Sequence, residues 1–390
     1  MSQELKIIMD RIIIMQQPKR LVYGNDCAYQ FIEDFIALVL NKVFIITSPP
    51  LLPVIQPLIE SLKSKGVYVV IWKDISSEPT TEMLNDALEA YNSSGCNAVV
   101  GIGGGSALDV AKLVATLHGI GQDIQSVFGI GKVAGRKTYL ACLPTTAGTG
   151  SEVSPNAIIY DEIEKLKKGV ISPYLVPDAS YIDPLLTLTV PPNVTASTGM
   201  DALIHCIEGY ANLFAHPITD VYSLQGIRLI GANLKRAFEN GNDLDARAKM
   251  ALGSLYGGLC LGPVNTGAVH ALSYPLGSDF HTPHGIANSL LLPYIFEYNL
   301  PAMPDRYAHI AIALGAETAD SDIETAKLGL NIIIKLCHDC KIPLKLSEIG
   351  VPFDAIERMA KAAMTVTRLL KNNPIQLELK DVLEIYKKAY

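Results

Sequence analysis

Two short segments of this chain concentrate groups that can hold a metal ion. In STGMDALIHCIEGY, Asp201 and His205 stand four residues apart, so on a helix both leave from one face. Downstream, VHALSY and FHTPHG place His270, His281 and His284 within 15 residues. A carboxylate with two or three imidazoles suits Fe(II) or Zn(II), whereas Mg(II) and Ca(II) favour all-oxygen sites. His118, His216, His309 and His338 stand apart from these segments and read as ordinary core or surface histidines.

A second kind of chemistry is written in two glycine-containing loops. Gly101-Ile102-Gly103-Gly104-Gly105-Ser106 follows the strand-like NAVV and precedes the helical pattern SALDVAKLVATLHG. Glycines there let the backbone turn sharply and approach a ligand, and the amides opening the next helix attract phosphate. Pro144-Thr145-Thr146-Ala147-Gly148-Thr149-Gly150-Ser151-Glu152 follows another strand-like run, YLACL, and supplies four hydroxyls. Loops of this kind at the carboxyl ends of strands form the crevice where open α/β sheets bind ligands, here a dinucleotide.

The elements needed to carry these groups fall into two rhythms. Up to about residue 190, continuous apolar runs of strand length alternate with helical patterns, as in VFIIT, VYVVIW and NAVVGIGGG. That alternation predicts a parallel sheet covered on both faces. Beyond Asn193 the apolar residues recur at helical spacing, and Val190-Pro191-Pro192-Asn193 is the expected boundary. The reading is an α/β dinucleotide-binding domain over 1–192 and an all-helical metal-binding domain over 193–390.

Composition narrows the partners. A net charge of −7 argues against nucleic acid or an anionic membrane surface as the main partner. No run reaches the roughly 18 to 20 apolar residues that span a bilayer. The start, MSQELKIIMDRIIIM, mixes charges into its apolar residues and makes a poor signal peptide, so the expected location is the cytoplasm. Seven scattered cysteines suit reduced thiols, and Cys337-His338-Asp339-Cys340 reads as an inert helix end.

Four runs taken together carry a specific resemblance. GGGSALDVAK, PTTAGTGSEVSP, GMDALIHCIE and VHALSYPLGSDFHTPHGIANS are similar, in order and spacing, to the signatures of the iron-containing (group III) alcohol dehydrogenases. The resemblance covers the chain from about Gly24 to the final helices. It implies a dehydroquinate synthase-like architecture, with an α/β dinucleotide-binding domain and an all-α domain. It also implies metal ligands at Asp201, His205, His270 and His284. Cofactor contacts would fall on Gly103, Gly104, Gly105, Ser106, Asp109, Thr145, Thr146, Thr149, Ser151 and Lys167. Members of the family usually form homodimers, some of which associate further.

Where the chain departs from the family, expectations shift. Tyr274 stands where many relatives carry a histidine four residues after the third ligand, and His281 is often not histidine in them. These two are the candidates for catalytic proton transfer, with His281 passing the proton outward. Ser48 replaces an aspartate that NAD-preferring relatives place after the first long strand, so NAD(P) is expected, with NAD ahead of NADP. The implied reaction moves a hydride between that cofactor and a small primary alcohol or aldehyde at an ion, Fe(II) first and Zn(II) second. Residues 195–215 and 265–290 contain no lysine or arginine, which favours small neutral substrates. The alternatives are a glycerol dehydrogenase-like zinc polyol dehydrogenase and a dehydroquinate synthase-like lyase.

Overall fold

The computed structural model of the chain describes residues 11–75 and 78–390, so the first ten residues of the stretch weighed as a signal peptide lie outside it. Contacts divide the chain at Val190–Pro191 into two compact units. Residues 11–15 belong with the helical unit rather than the α/β unit, where the sequence reading had put them. The tie is Arg11, whose guanidinium donates to the carbonyls of Phe214 and Pro263.

The unit over Gln16–Val190 alternates strand and helix: β1 (Arg20–Tyr23), α1 (Cys27–Ala37), β2 (Lys42–Ile46), α2 (Leu52–Ser64), β3 (Tyr68–Trp72), α3 (Thr81–Ser94), β4 (Ala98–Gly103) and α4 (Gly105–Leu117). The short α5 (Ile124–Val127), then β5 (Gly129–Ile130), β6 (Tyr139–Pro144), β7 (Asn156–Asp161), β8 (Leu166–Ile171) and β9 (Ala179–Ile182) complete it. Six strands form one sheet in the order β1-β9-β6-β4-β2-β3, with every pairing parallel. Both faces are covered, as the apolar strands require. Phe44 and Ile46 of β2 and Val99 of β4 point into the core made with α3 and α4. Their neighbours Val43, Ile45, Ala98 and Val100 point into the opposite core with α1 and α2. Each face is therefore a continuous apolar layer read from alternate residues. A second, three-stranded sheet has the order β5-β8-β7.

The second unit is helical: α6 (Pro192–Tyr210), α7 (Pro217–Glu239), α8 (Leu244–Leu261), α9 (Ala268–Phe280), α10 (His284–Asn299), α11 (Pro304–Ala313), α12 (Asp322–Asp339), α13 (Ile356–Ala363), α14 (Thr367–Leu370) and α15 (Leu379–Lys388). Pro192 opens α6 at the position where a missing amide proton costs nothing. The central helix α6 packs against α7, α8 and α10, and α9 packs against α10. Among the described residues no helix is long and apolar enough to cross a membrane. Cys337 and Cys340 are free, buried thiols that burial pushes up to about 12, in keeping with an inert helix end.

Candidate metal centre and nucleotide loops

Helix α6 turns Asp201 and His205 to one side, and both are buried. His270 comes from the first turn of α9 and His284 opens α10. One donor atom each from Asp201, His270 and His284 lie within 4.8 Å of one another. Asp201 Oδ1 is 3.6 Å from His270 Nε2 and 3.7 Å from His284 Nε2. His205 stands just outside that trio, its Nε2 3.9 Å from Asp201 Oδ2 and its ring stacked on that of His270 at 4.9 Å. These separations are too long for hydrogen bonds. They are close to the roughly 3.4 Å between donors that share one ion at about 2.1 Å. His270 Nε2 is buried and has no hydrogen-bond partner. A buried, unsatisfied imidazole nitrogen facing a carboxylate and a second imidazole fits a cation.

Burial disfavours the Asp201 carboxylate, but the His205 and His284 charges outweigh it and hold the group well below the usual carboxylate range. Burial likewise works against a charged His270, yet Glu208 and Asp201 push it up to about 10. Glu208, the last residue of GMDALIHCIE, has no role that its place in the sequence shows. Its Oε2 lies 2.6 Å from His270 Nδ1, and its Oε1 accepts from the Val269 amide at 2.6 Å. A carboxylate on Nδ1 fixes the ring and leaves Nε2 toward the cluster. Asn288 is a second unassigned residue: its Nδ2 donates to Asp201 Oδ1 at 2.8 Å and stands 3.1 Å from His284 Nε2. The close approach that delivers His284 depends on Gly285, where a Cβ would collide with the Ser197 carbonyl of α6.

The two proton-transfer candidates part company. Tyr274 lies one turn beyond His270 with its ring 6.4 Å from that of His284, and its hydroxyl accepts from Arg368 Nη2 at 3.3 Å. His281 is exposed, in left-handed conformation (φ 53°) at the end of α9. Its side chain meets no hydrogen-bond or ring partner among the described residues.

In the α/β unit the expected nucleotide loops stand side by side. Strands β2, β4 and β6 are consecutive in the sheet, and Ser48, Gly103–Ser106 and Thr145–Ser151 leave their carboxyl ends. The Thr145 amide donates to the Gly103 carbonyl at 2.9 Å, which ties one loop to the other. A Cβ at Gly105 would sit 2.6 Å from Thr149 Cγ2, so only glycine allows Thr149 to lie on the helix start. Lys167 is on β8 of the smaller sheet, buried, with its Nζ 2.5 Å from Glu78 Oε1.

Asp109 and Ser151 have work inside the protein that the sequence did not reveal. Asp109 Oδ1 accepts from Ser151 Oγ at 2.5 Å and Oδ2 from the Ile158 amide at 2.9 Å, so both oxygens are engaged. The fully buried Lys112 ammonium donates to Ser151 O and Ser154 O, both at 2.9 Å, to Ser151 Oγ at 3.1 Å and to the Asn156 carbonyl. Four acceptors demand the charged form, although burial pushes Lys112 downward. Helix α4, whose amino end follows the glycine run, is thereby fastened to the hydroxyl loop.

Beside this knot, burial pushes Glu152 up to about 7 from an ordinary 4.5, and the Lys112 charge offsets only part of that. The folded protein then holds a proton that the unfolded chain releases between those values. The Glu152 contribution to stability is therefore full below pH 4.5 and lost as pH rises through 7. Glu152→Gln is expected to flatten that fall and to gain on the order of 3 kcal/mol or less over the parent at pH 8. Thermal melts of both proteins at pH 5 and pH 8 check it, and an equal gap at both would refute it.

A parallel sheet with glycine and hydroxyl loops at its carboxyl edge, and a helical unit with a carboxylate–imidazole cluster, fit a metal-dependent oxidoreductase of dinucleotide type. Residues 18–184 match the iron-containing alcohol dehydrogenase family, and residues 195–390 match its C-terminal part. The chain belongs to that family and acts in alcohol and aldehyde oxidoreduction. It is 38% identical over 388 residues to a choline dehydrogenase of Bacillus subtilis (strain 168), covering 98% of this chain and 96% of that protein. It is 32% identical over 361 residues to a sulfoacetaldehyde reductase of Bilophila wadsworthia (strain 3_1_6), covering 91% and 93% respectively. A solved 1,3-propanediol oxidoreductase superposes with a TM-score of 0.94 at 31% identity, covering 97% of this chain and all of that one. Membership of an oxidoreductase family sets the lyase alternative aside.

Proposed function

We propose that the chain is an NAD(P)-dependent, iron-loaded reductase of short aldehydes that also oxidises the corresponding primary alcohols. The observation that carries this reading is the convergence of Asp201, His270 and His284 around an unsatisfied His270 Nε2. His205, stacked on His270, completes the proposed ligand set. An ion held there supplies a Lewis acid for the substrate oxygen. Glu208 holds the His270 ring through Nδ1, and Asn288 holds Asp201 through Oδ1.

Ser48, Gly103, Gly104, Gly105, Ser106, Thr145, Thr146 and Thr149 are the proposed nucleotide contacts, with Asp109 and Ser151 supporting them from beneath. Lys167 is a proposed contact from the smaller sheet. A bound nicotinamide supplies or accepts the hydride. Tyr274 and His281 are the proposed proton carriers, and Tyr274 is the better supported because its ring neighbours that of His284. A serine at position 48 leaves no carboxylate against a ribose phosphate at that point, so both cofactors are accepted, with NAD ahead. The seven free thiols suit a cytoplasmic location, and the open edge of β1, with Leu21 and Tyr23 exposed, suits a homodimer.

The test is oxidation of NADH and NADPH by anaerobically purified protein against a panel of short aldehydes, after chelation and after refilling with Fe(II) or Zn(II). The expected outcome is activity abolished by the chelator and restored best by Fe(II). Activity indifferent to chelation would refute the metal assignment, and restoration by Zn(II) alone would favour a zinc polyol dehydrogenase.

A further inference from the structure

Family membership leaves one property of the substrate open, its charge. The sequence windows around the donor cluster hold no cation, but the fold brings one in from far downstream. Arg368, on α14, donates from Nη2 to the Tyr274 hydroxyl at 3.3 Å, and the Tyr274 ring neighbours that of His284 at 6.4 Å. The guanidinium thus stands about one phenol beyond the cluster, on the side where Tyr274 leaves α9 one turn after His270.

Arg368 is half-buried. Among the described residues no carboxylate pairs with it, and the Tyr274 hydroxyl is its one hydrogen-bond partner. Arg358 is different: it pairs with Asp279 at 3.3 Å and lies over the Phe280 ring. A guanidinium carries five N–H donors in a planar fork matched to an oxyanion. Holding one partly out of water with a single neutral acceptor is unfavourable unless an anion completes it.

We propose that Arg368 is a specificity-determining residue that receives the anionic end, carboxylate or sulfonate, of a short aldehyde or alcohol. The reacting carbon of that substrate lies at the Asp201–His270–His284 cluster. The inference rests on reading that cluster as the reaction centre. The same guanidinium disfavours a substrate with a cationic end.

The experiment compares kcat/KM of the metal-loaded holoenzyme for succinic semialdehyde, its sulfonate counterpart, pentanal and a trimethylammonio-butanal. The parent enzyme is expected to favour an anionic aldehyde over pentanal by about tenfold or more and to disfavour the cationic one. The higher of the two anionic values identifies the group. R368Q is expected to collapse the anionic-to-neutral ratio by about tenfold or more through KM, and R368K to recover part of it. If R368Q does not fold, R368K reads the same ratio and must fall below the parent. Y274F removes the hydroxyl but keeps the guanidinium, so it retains the ratio, and a collapse there would mean that Arg368 serves only to hold Tyr274. A parent enzyme that treats all four aldehydes alike, or an R368Q ratio equal to the parent ratio, would overturn the proposal. A protein that turns over no aldehyde at all would instead overturn the function on which it rests.

Discussion

Asp201→Asn is expected to lower kcat/KM for aldehyde reduction by about three orders of magnitude or more and to strip the protein of metal. Asp201 is the one carboxylate among the proposed donors and sits at their centre. Its Oδ1 is within 3.7 Å of His270 Nε2 and His284 Nε2, and its Oδ2 is 3.9 Å from His205 Nε2. An amide of the same shape keeps the packing but removes the negative charge, and a neutral amide oxygen is a much weaker ligand for a divalent ion. The NADH affinity of the variant should stay near that of the parent, because the nucleotide loops belong to the α/β unit. Metal per chain, a fluorescence titration with NADH and steady-state rates together decide the matter. A variant that keeps its metal and stays within tenfold of parental activity would show that Asp201 is no ligand.

Spacing singles out Asp201, His205, His270, His281 and His284, the motif resemblance narrows them to a proposed ligand set, and the structure groups Asp201, His270 and His284. Asp201 and His205 are one helical turn apart, and the glycines at 103–105 mark the passage from a strand to a helix. The α/β and helical halves were equally legible, since continuous apolar strands and 3.6-residue periodicity are properties of neighbouring residues. What stayed hidden depends on packing between elements remote in sequence. Glu208 is on α6 and reaches His270 on α9 only because those helices meet, and nothing in GMDALIHCIE marks it as different from a surface acid. Arg368 lies 94 residues from Tyr274, so the sequence around the proposed ligands carries no sign of it. Asp109 and Ser151 were read as cofactor contacts from motif position alone. In the structure Asp109 bonds Ser151 and the Ile158 amide of β7, and Ser151 bonds Lys112, contacts that a helical pattern cannot reveal when the inward residue is a lysine.

That buried lysine sets the second large effect. Lys112→Met removes the cation that donates to three backbone carbonyls, of Ser151, Ser154 and Asn156, and takes away the charge that offsets the buried Asp109 carboxylate. Breaking a buried pair from one side costs about 3 to 5 kcal/mol, and orphaned carbonyls add to it. For a unit of this size that corresponds to a drop of roughly 10 °C in the melting midpoint. The functional effect follows from the same contacts. Without Lys112 the loop over Thr145–Asn156 is no longer pinned to α4, so the hydroxyls and helix amides proposed to meet the dinucleotide must be ordered at the expense of binding, and NADH affinity should fall about tenfold or more. The double variant with Asp109→Asn separates the two consequences. Neutralising the orphaned carboxylate should restore part of the melting temperature, whereas the three carbonyls still lack their donor, so affinity should stay low. Metal content, a property of the helical unit, should not change in either variant. A Lys112→Met protein that melts and binds NADH like its parent would show that the knot holds nothing in place.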